Sequence, residues 1–460
     1  MRRAGGADNT RPTMSDAAQP RPRLDTKAFA IIFGVSMATA MGNTGLQSVL
    51  PTIGRRIGIP DPMVSAIFSL SALLWAFSSP YWARQSDQRG RKPLMIIGLS
   101  GFAVSMTLCG LVVSAGLAHL AAPMMIFAAF LVCRAIFGLF GAASNPATQA
   151  FVAERTRPED RTQSMSTLAG AFSLGTVIGP VVAPLFIIGA LDYAGPLFAF
   201  AAIAAVMLVV VVRQLKETRP ATPVVIDPAD PEIEFEPAGK PTPIWRDKRL
   251  IPFMVYGFLV ATCQSAQGQT LGFLIIDKVH KLLPALGQRD LLKLSQQYIE
   301  VAMVAGAIAG LLAQWGLIRM FRMTPRSLLR WGAGLAAMGN LIVAMSPDFA
   351  TAVIGYALSS LGFSFARPGF TAGASLSVPM KDQARAAGAI AAVNGVNVIL
   401  APLAVSFYRF SAPGPFLLNG AILIGLLLYA FRDPLLGQTG KGLGSEEEAV
   451  MATLERSDEG

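Results

Sequence analysis

The chain has 460 residues, with 38 basic and 28 acidic side chains and a formal net charge of +10. Apolar residues make up 53% and charged residues 14%, against roughly 25% charged in a soluble protein. Such a composition excludes a disordered chain and a string of ordinary soluble domains, which need charge to cover their surfaces. The excess of basic residues has no finger, basic helix or basic-aromatic motif beside it, so no nucleic acid partner is expected.

In chain order, residues 1–27 form a polar tail bearing Arg2, Arg3, Arg11, Arg21 and Arg23. No apolar core with a small-residue cleavage site follows, so the tail does not read as a secretory signal. Met14 offers a second start. Twelve apolar segments are then long enough to cross a bilayer. They fall at 28–50, 63–83, 94–116, 122–145, 163–188, 195–213, 250–274, 296–315, 329–346, 349–370, 388–408 and 412–431. The stretch 214–249 is rich in proline (Pro220, Pro223, Pro228, Pro231, Pro237, Pro241, Pro243) and carries the acids Asp227, Asp230, Glu232, Glu234 and Glu236. This composition predicts a flexible linker. The expected fold is therefore an all-α polytopic membrane protein with two six-helix bundles, 28–213 and 250–431, and a C-terminal tail at 432–460.

The two halves echo each other. Pro146 and Asp160, and Pro368 and Asp382, are each 14 residues apart, after the fourth segment of their half. Paired helical repeats with a midplane binding site are a transporter architecture.

Three motifs sharpen the reading. Between the second and third spans runs Ala83-Arg-Gln-Ser-Asp87-Gln-Arg89-Gly90-Arg91-Lys92-Pro93. Gly90 permits a tight turn, Asp87 can cap or pair, and Arg89, Arg91 and Lys92 hold the loop in the cytoplasm. The fourth span holds Arg134-Ala-Ile-Phe-Gly138-Leu-Phe-Gly141-Ala-Ala. An arginine inside a membrane is costly unless it meets a cavity or a partner. The fifth holds Gly175, Gly179 and Pro180 in a GxxxGP pattern. Its glycines allow a neighbouring helix to come close, and its proline frees a backbone carbonyl.

Together these motifs resemble those of the major facilitator superfamily, and the fifth-span pattern resembles its 12-span drug-proton antiporters. Departures are Ala83 for the usual glycine, Gln88 for arginine, Phe137 for glutamine, and Ala183-Pro184 for a glycine pair. The second-half counterpart of the loop, Gly316 to Arg330, has Met320 where an acid would stand. The resemblance implies a conformational latch at Asp87, Arg89, Gly90, Arg91 and Lys92. It also implies a central cavity lined by spans 1, 4, 7 and 10, with spans 5, 8 and 11 beside them.

Polar pairs lie where such a cavity would be. Asn43 and Gln47 share one helix face in span 1, as do Gln264 and Gln267 in span 7 and Asn394 and Asn397 in span 11. With Arg134 they form the expected substrate pathway. Such amides can also join helices to one another. Arg367 matches Asn145 at the cytoplasmic end of a span, where it is expected to snorkel. Acids and histidines are expected only at span ends or in loops: Asp25, Asp277, Glu300, Asp348, His119 and His280. Cys109, Cys133 and Cys263 read as packing residues, with no disulfide or metal site.

The expected function is secondary transport of a small organic solute by alternating access. Efflux, as drug-proton antiport, is favoured by the fifth-span motif; uptake of an organic anion or neutral metabolite is the alternative. A membrane enzyme or receptor is a remote reading, because no HExxH, GxSxG or paired carboxylates occur and the P-loop pattern is absent. No cofactor is expected. The partners are the solute, protons in the antiport case, and the lipid bilayer around a monomer. Basic residues concentrate in alternate loops, placing both termini in the cytoplasm of a plasma membrane, a bacterial inner membrane.

Overall fold

The structure, a computed structural model, describes residues 25–156, 158–216, 247, 249–378, 390, 393, 400–433 and 436. Asn394, Asn397, most of the 214–249 linker and both tails lie outside the described residues, as does the side chain of Asp87.

Helices follow the apolar segments. The first group is α1 (Thr26–Ile57), α2 (Asp61–Arg89), α3 (Arg91–Leu117), α4 (Pro123–Phe140), α5 (Ser144–Arg155), α6 (Pro158–Val182) and α7 (Gly195–Gln214). The second is α8 (Ile251–Leu282), α9 (Gln288–Leu311), α10 (Ile318–Met320), α11 (Pro325–Met345), α12 (Phe349–Leu376), α13 (Ala401–Phe410) and α14 (Gly414–Arg432). A π turn, Leu312–Leu317, carries α9 on into α10. Among the described residues, nine helices are long and apolar enough to cross a membrane, and Gly170–Phe186 is a shorter apolar helix. Although α8 matches α1 in length, it is diluted by Gln264, Ser265, Gln267, Gln269 and Thr270 and is not among the nine.

The ends are set by local chemistry. Gly58 closes α1 at φ 89°, a left-handed backbone that favours glycine, and its N–H reaches the Gly54 carbonyl at 2.9 Å. Gly90 separates α2 from α3 at φ 93°. Asp348 caps α12 by accepting from the Thr351 N–H at 2.8 Å, a bond that holds its carboxyl below the ordinary range.

Short turns make successive helices antiparallel, so turns such as 58–60, 118–122 and 411–413 gather at one end, the distal end. The chain enters α1 and leaves α14 at the other. Helices α1 to α7 pack mainly among themselves, and α8 to α14 do likewise. The two groups meet through α1 against α8 and α9, α6 against α9, and α2 against α13. A core near the distal end is shared between them: Leu50, Ile53 and Ile67 cluster with Phe273, Leu274 and Val405.

The closest helix pairing in the first group answers to the fifth-span motif. A Cβ on Gly175 would lie 2.4 Å from the Met37 carbonyl oxygen, and one on Gly179 would lie 2.3 Å from that of Met41. Backbone thus meets backbone, and α6 ends two residues beyond Pro180 before tightening into a 3-10 turn, Ala183–Phe186. Sequence expectations fail at one boundary in particular. The eighth span was expected to start at 296, but its helix starts at Gln288, so Glu300 lies within a helix and is not at its end. The charges of its first turns, Arg289, Asp290 and Lys293, are tolerated because this end adjoins the turn from α8.

Candidate functional site

Between the two groups lies a cavity of about 460 Å³, within the range of small-molecule sites. From the first group, Thr44 and Gln47 of α1 and Phe172, Ser173, Thr176 and Pro180 of α6 face it. From the second come Ala261, Gln264 and Ser265 of α8, Gly306 and Gly310 of α9, Gln314 of the π turn, and Tyr356, Ser360, Ser364 and Arg367 of α12. Glycines on α9 make room: a Cβ on Gly306 would meet Tyr356 at 2.4 Å.

A polar lock closes the distal side. Arg55 of α1 grips both carboxylate oxygens of Asp61 at 2.7 Å and reaches across to Asp277 of α8 at 2.8 Å. Tyr408 of α13 donates to Asp277 at 2.6 Å, and Arg409 lies 3.3 Å from Asp61. Asp61 is buried, so its charge depends on these cations. One turn deeper, Thr52 donates to Gln296 at 2.6 Å. Gln296 in turn donates to the Ser48 carbonyl at 3.2 Å and to Glu300 at 2.8 Å. Pro51 presses on Gly272, where a Cβ would lie 2.7 Å from the proline ring. Arg55–Asp277, Arg409–Asp61, Thr52–Gln296, Gln296–Ser48 and the Pro51–Gly272 contact cross between the groups and must break for the distal face to open. Arg55–Asp61, Tyr408–Asp277 and Gln296–Glu300 each lie within one group and can travel with it.

The structure separates the expected pathway residues. Gln47 and Gln264 line the cavity. Arg134 does not: it is 1% exposed, behind α1, with its guanidinium 4.6 Å from the Phe137 ring and 5.4 Å from that of Phe68. Its Nη2 donates to Asn43 at 2.8 Å, while Nε and Nη1 have no hydrogen-bond partner. Asn43, half-buried beside cavity-lining Thr44, connects Arg134 to the cavity wall. Gln267 is a correction. It is buried and donates to Ser359, while Asn340 donates to it at 3.5 Å and Asn419 to Asn340 at 3.2 Å. This amide chain stitches α8, α11, α12 and α14 together because Gln267 and Asn340 each both give and accept.

Arg367 is the opposite correction. The apolar run was expected to end at 370, leaving Arg367 near the membrane surface. Instead α12 continues to Leu376, and Arg367 is exposed to the cavity. Of the loop-motif residues, Arg91 and Lys92 have described side-chain contacts. Arg91 is buried and bonds Ser86 at 2.8 Å and Glu154 of α5 at 3.0 Å, and Lys92 reaches the Val212 carbonyl at 2.8 Å. These contacts run within the first group, with Arg89 exposed at the end of α2. Among the described residues, no group of His, Cys, Asp or Glu could hold a metal ion.

Two packed helical groups enclosing a polar cavity, closed at one end by ion pairs between them, define a membrane transporter of the two-bundle class. The chain belongs to the Major Facilitator Superfamily, whose sequence profile matches residues 32–402. It is similar to the efflux pump azaK of Aspergillus niger, 26% identical over 233 residues, or 50% of this chain and 43% of that protein. Multidrug resistance protein 2 of Bacillus subtilis is 32% identical over 190 residues, 41% of this chain and 44% of that protein. The chain thus spans less than half the length of these curated relatives in each match. The crystal structure of peptide transporter POT in complex with sulfate superposes with a TM-score of 0.67 at 15% identity, covering 90% of this chain and 96% of that one. At that identity the likeness is one of fold.

Proposed function

We propose that this protein is a secondary active exporter that carries a small organic solute through the central cavity by alternating access. The observation that carries the reading is a cavity lined from both groups beneath a lock formed between them. Two groups that share a site can expose it to one side and then the other by rocking. In this conformation the cavity would face the cytoplasm, with both termini on that side of a plasma membrane. The basic cluster Arg84, Arg89, Arg91 and Lys92 at the termini end supports that orientation. Export is favoured by the relatives, named as an efflux pump and a multidrug resistance protein.

Proton antiport supplies the drive in this reading. Asp277 and Glu300 lie where the two groups meet, and a proton on either carboxylate weakens what it accepts. The 28–213 and 250–431 bundles are the moving bodies. Arg134 acts through Asn43 as a positioning residue for the cavity wall.

Accumulation of a panel of drugs and organic acids in cells with and without the gene tests the function. Export predicts lower accumulation of at least one compound, with the difference lost when the proton gradient is collapsed. Higher accumulation with the gene would reverse the direction, and equal accumulation across the panel would remove the assignment.

A further inference from the structure

The cavity carries charge of one sign. Among the described residues that line it, Arg367 is the one with a formal charge, and none is an acid or a histidine. The remaining polar lining consists of amides and hydroxyls. Ser364 and Ser360 lie one and two turns before Arg367 on the same face of α12. Gln264 and Gln314 look into the same space from α8 and the π turn. Across from them, α6 offers Phe172, 56% exposed, with Val177 and Pro180. The cavity thus has a cationic, hydrogen-bonding wall and, facing it, a mixed wall in which Phe172, Val177 and Pro180 form an apolar patch among Ser173, Thr176, Thr44 and Gln47.

This arrangement selects among solutes. A guanidinium keeps its charge and presents a planar fork of N–H donors that matches a carboxylate or sulfonate in two parallel bonds. Low-dielectric walls focus its field into the space between the groups and raise the local concentration of anions. A cationic solute entering the same space meets repulsion and finds no compensating carboxylate on the described lining. The geometry points to an anion-binding subsite at Arg367 that takes the carboxylate or sulfonate end of an amphipathic organic anion. Gln264 and Ser360 supply further hydrogen bonds, and Phe172 takes the apolar body. This inference rests on the reading of the cavity as the transport site.

The test needs no knowledge of the natural solute and no transport. Cys109, Cys133 and Cys263 are buried, so a Ser364→Cys variant of the full chain, in lipid, places one reactive thiol beside Arg367. Its modification is timed with two methanethiosulfonates of equal length, one bearing a sulfonate and the other a trimethylammonium. The sulfonate reagent should be favoured by about tenfold or more over its ratio with a free thiol, the size expected of a focused field. Adding Arg367→Gln should return the ratio to that of the free thiol, whereas Arg367→Lys should keep most of it. Benzoate should protect the thiol and benzamide should not, and Arg367→Lys should weaken that protection because the planar fork is gone. A ratio at or below the free-thiol value, or one unmoved by Arg367→Gln, overturns the subsite. So does benzamide protecting as well as benzoate, including the case in which neither protects. A protein that exports nothing from the panel yet shows the sulfonate preference keeps the subsite and loses the exporter reading.

Discussion

Arg55 and Asp277 join the two helical groups at 2.8 Å, from α1 to α8, on the distal side of the cavity. The bond does not stand alone, since Arg55 also holds buried Asp61 and Tyr408 also holds Asp277. Opening the distal face separates Arg55 from Asp277 while Arg55 and Asp61 can travel together on the first group. The contact is therefore poised to report which side is open.

Asp277→Asn is expected to loosen this closure. Asp277 is 43% exposed, so solvent screening limits the pair to about 1 kcal/mol, roughly a fivefold change in the balance of states. Spin labels at exposed His119 and Lys281, one in each group, measure it. The variant should show a larger long-distance population than the parent, and an unchanged distribution would remove the gating role.

The two glutamines of α8 should part company under substitution. Gln264→Ala is expected to weaken solute binding and leave thermal stability intact, because its side chain faces the cavity. Gln267→Ala breaks the amide chain through Ser359, Asn340 and Asn419. It should lower stability by about 0.6–1.7 kcal/mol, the size measured for interhelical hydrogen bonds in membranes. Melting in detergent beside a binding titration distinguishes them.

Gly179→Val forces branched carbons into space where a first Cβ already lies 2.3 Å from the Met41 carbonyl oxygen and 2.5 Å from Thr44. Helices α1 and α6 must separate, at a cost of about 1–3 kcal/mol or more. Lower melting and lower flux are expected together. Gly170, where a Cβ would find Trp315 at 3.8 Å, should accept alanine with neither effect.

Arg134 is buried with one hydrogen bond and two unpartnered nitrogens, Nε and Nη1, held between aromatic rings. Cation–π contacts return about 2 kcal/mol when desolvated, less than the several kcal/mol that burying the ion costs. A residue kept at such a cost for packing alone should be replaceable, so Arg134→Met is expected to fold at least as stably as the parent. Flux through Arg134→Met should fall to the background level, and undiminished flux would contradict the positioning role.

Glu300→Gln keeps the size of the side chain and its bond to Gln296 while removing the charge. In the antiport reading the variant exchanges solute across the membrane but no longer concentrates it against a gradient. Exchange and gradient-driven transport, measured on the same vesicles, separate the two. Intact concentrative transport would move the coupling to another group.

The gross fold was legible because hydropathy alone reports a helix that must satisfy its backbone inside lipid. Small residues were legible too: Gly175 and Gly179 allow close approach wherever they occur, although the sequence does not say that α1 is the partner. What escaped was direction around each helix. Gln264 and Gln267 are three residues apart, yet one faces the cavity and the other a neighbouring helix, a choice made by Asn340 and Ser359 from distant segments. Arg367 was misplaced for a related reason. Small and polar residues after it (Thr371, Gly373, Ser375) lower hydropathy and hide the last turns of α12. The lock of Arg55, Asp61, Asp277 and Arg409 lies near helix ends, where charges are ordinary, and only the meeting of the two groups pairs them.

The most direct test of the central claim uses purified protein alone in sealed liposomes. A compound identified by the cell panel is placed on both sides, and a pH gradient is imposed. The exporter reading predicts saturable movement of the compound against its own gradient, with a matching change of internal pH, and neither in Arg134→Met. Movement no faster than in protein-free liposomes would contradict it.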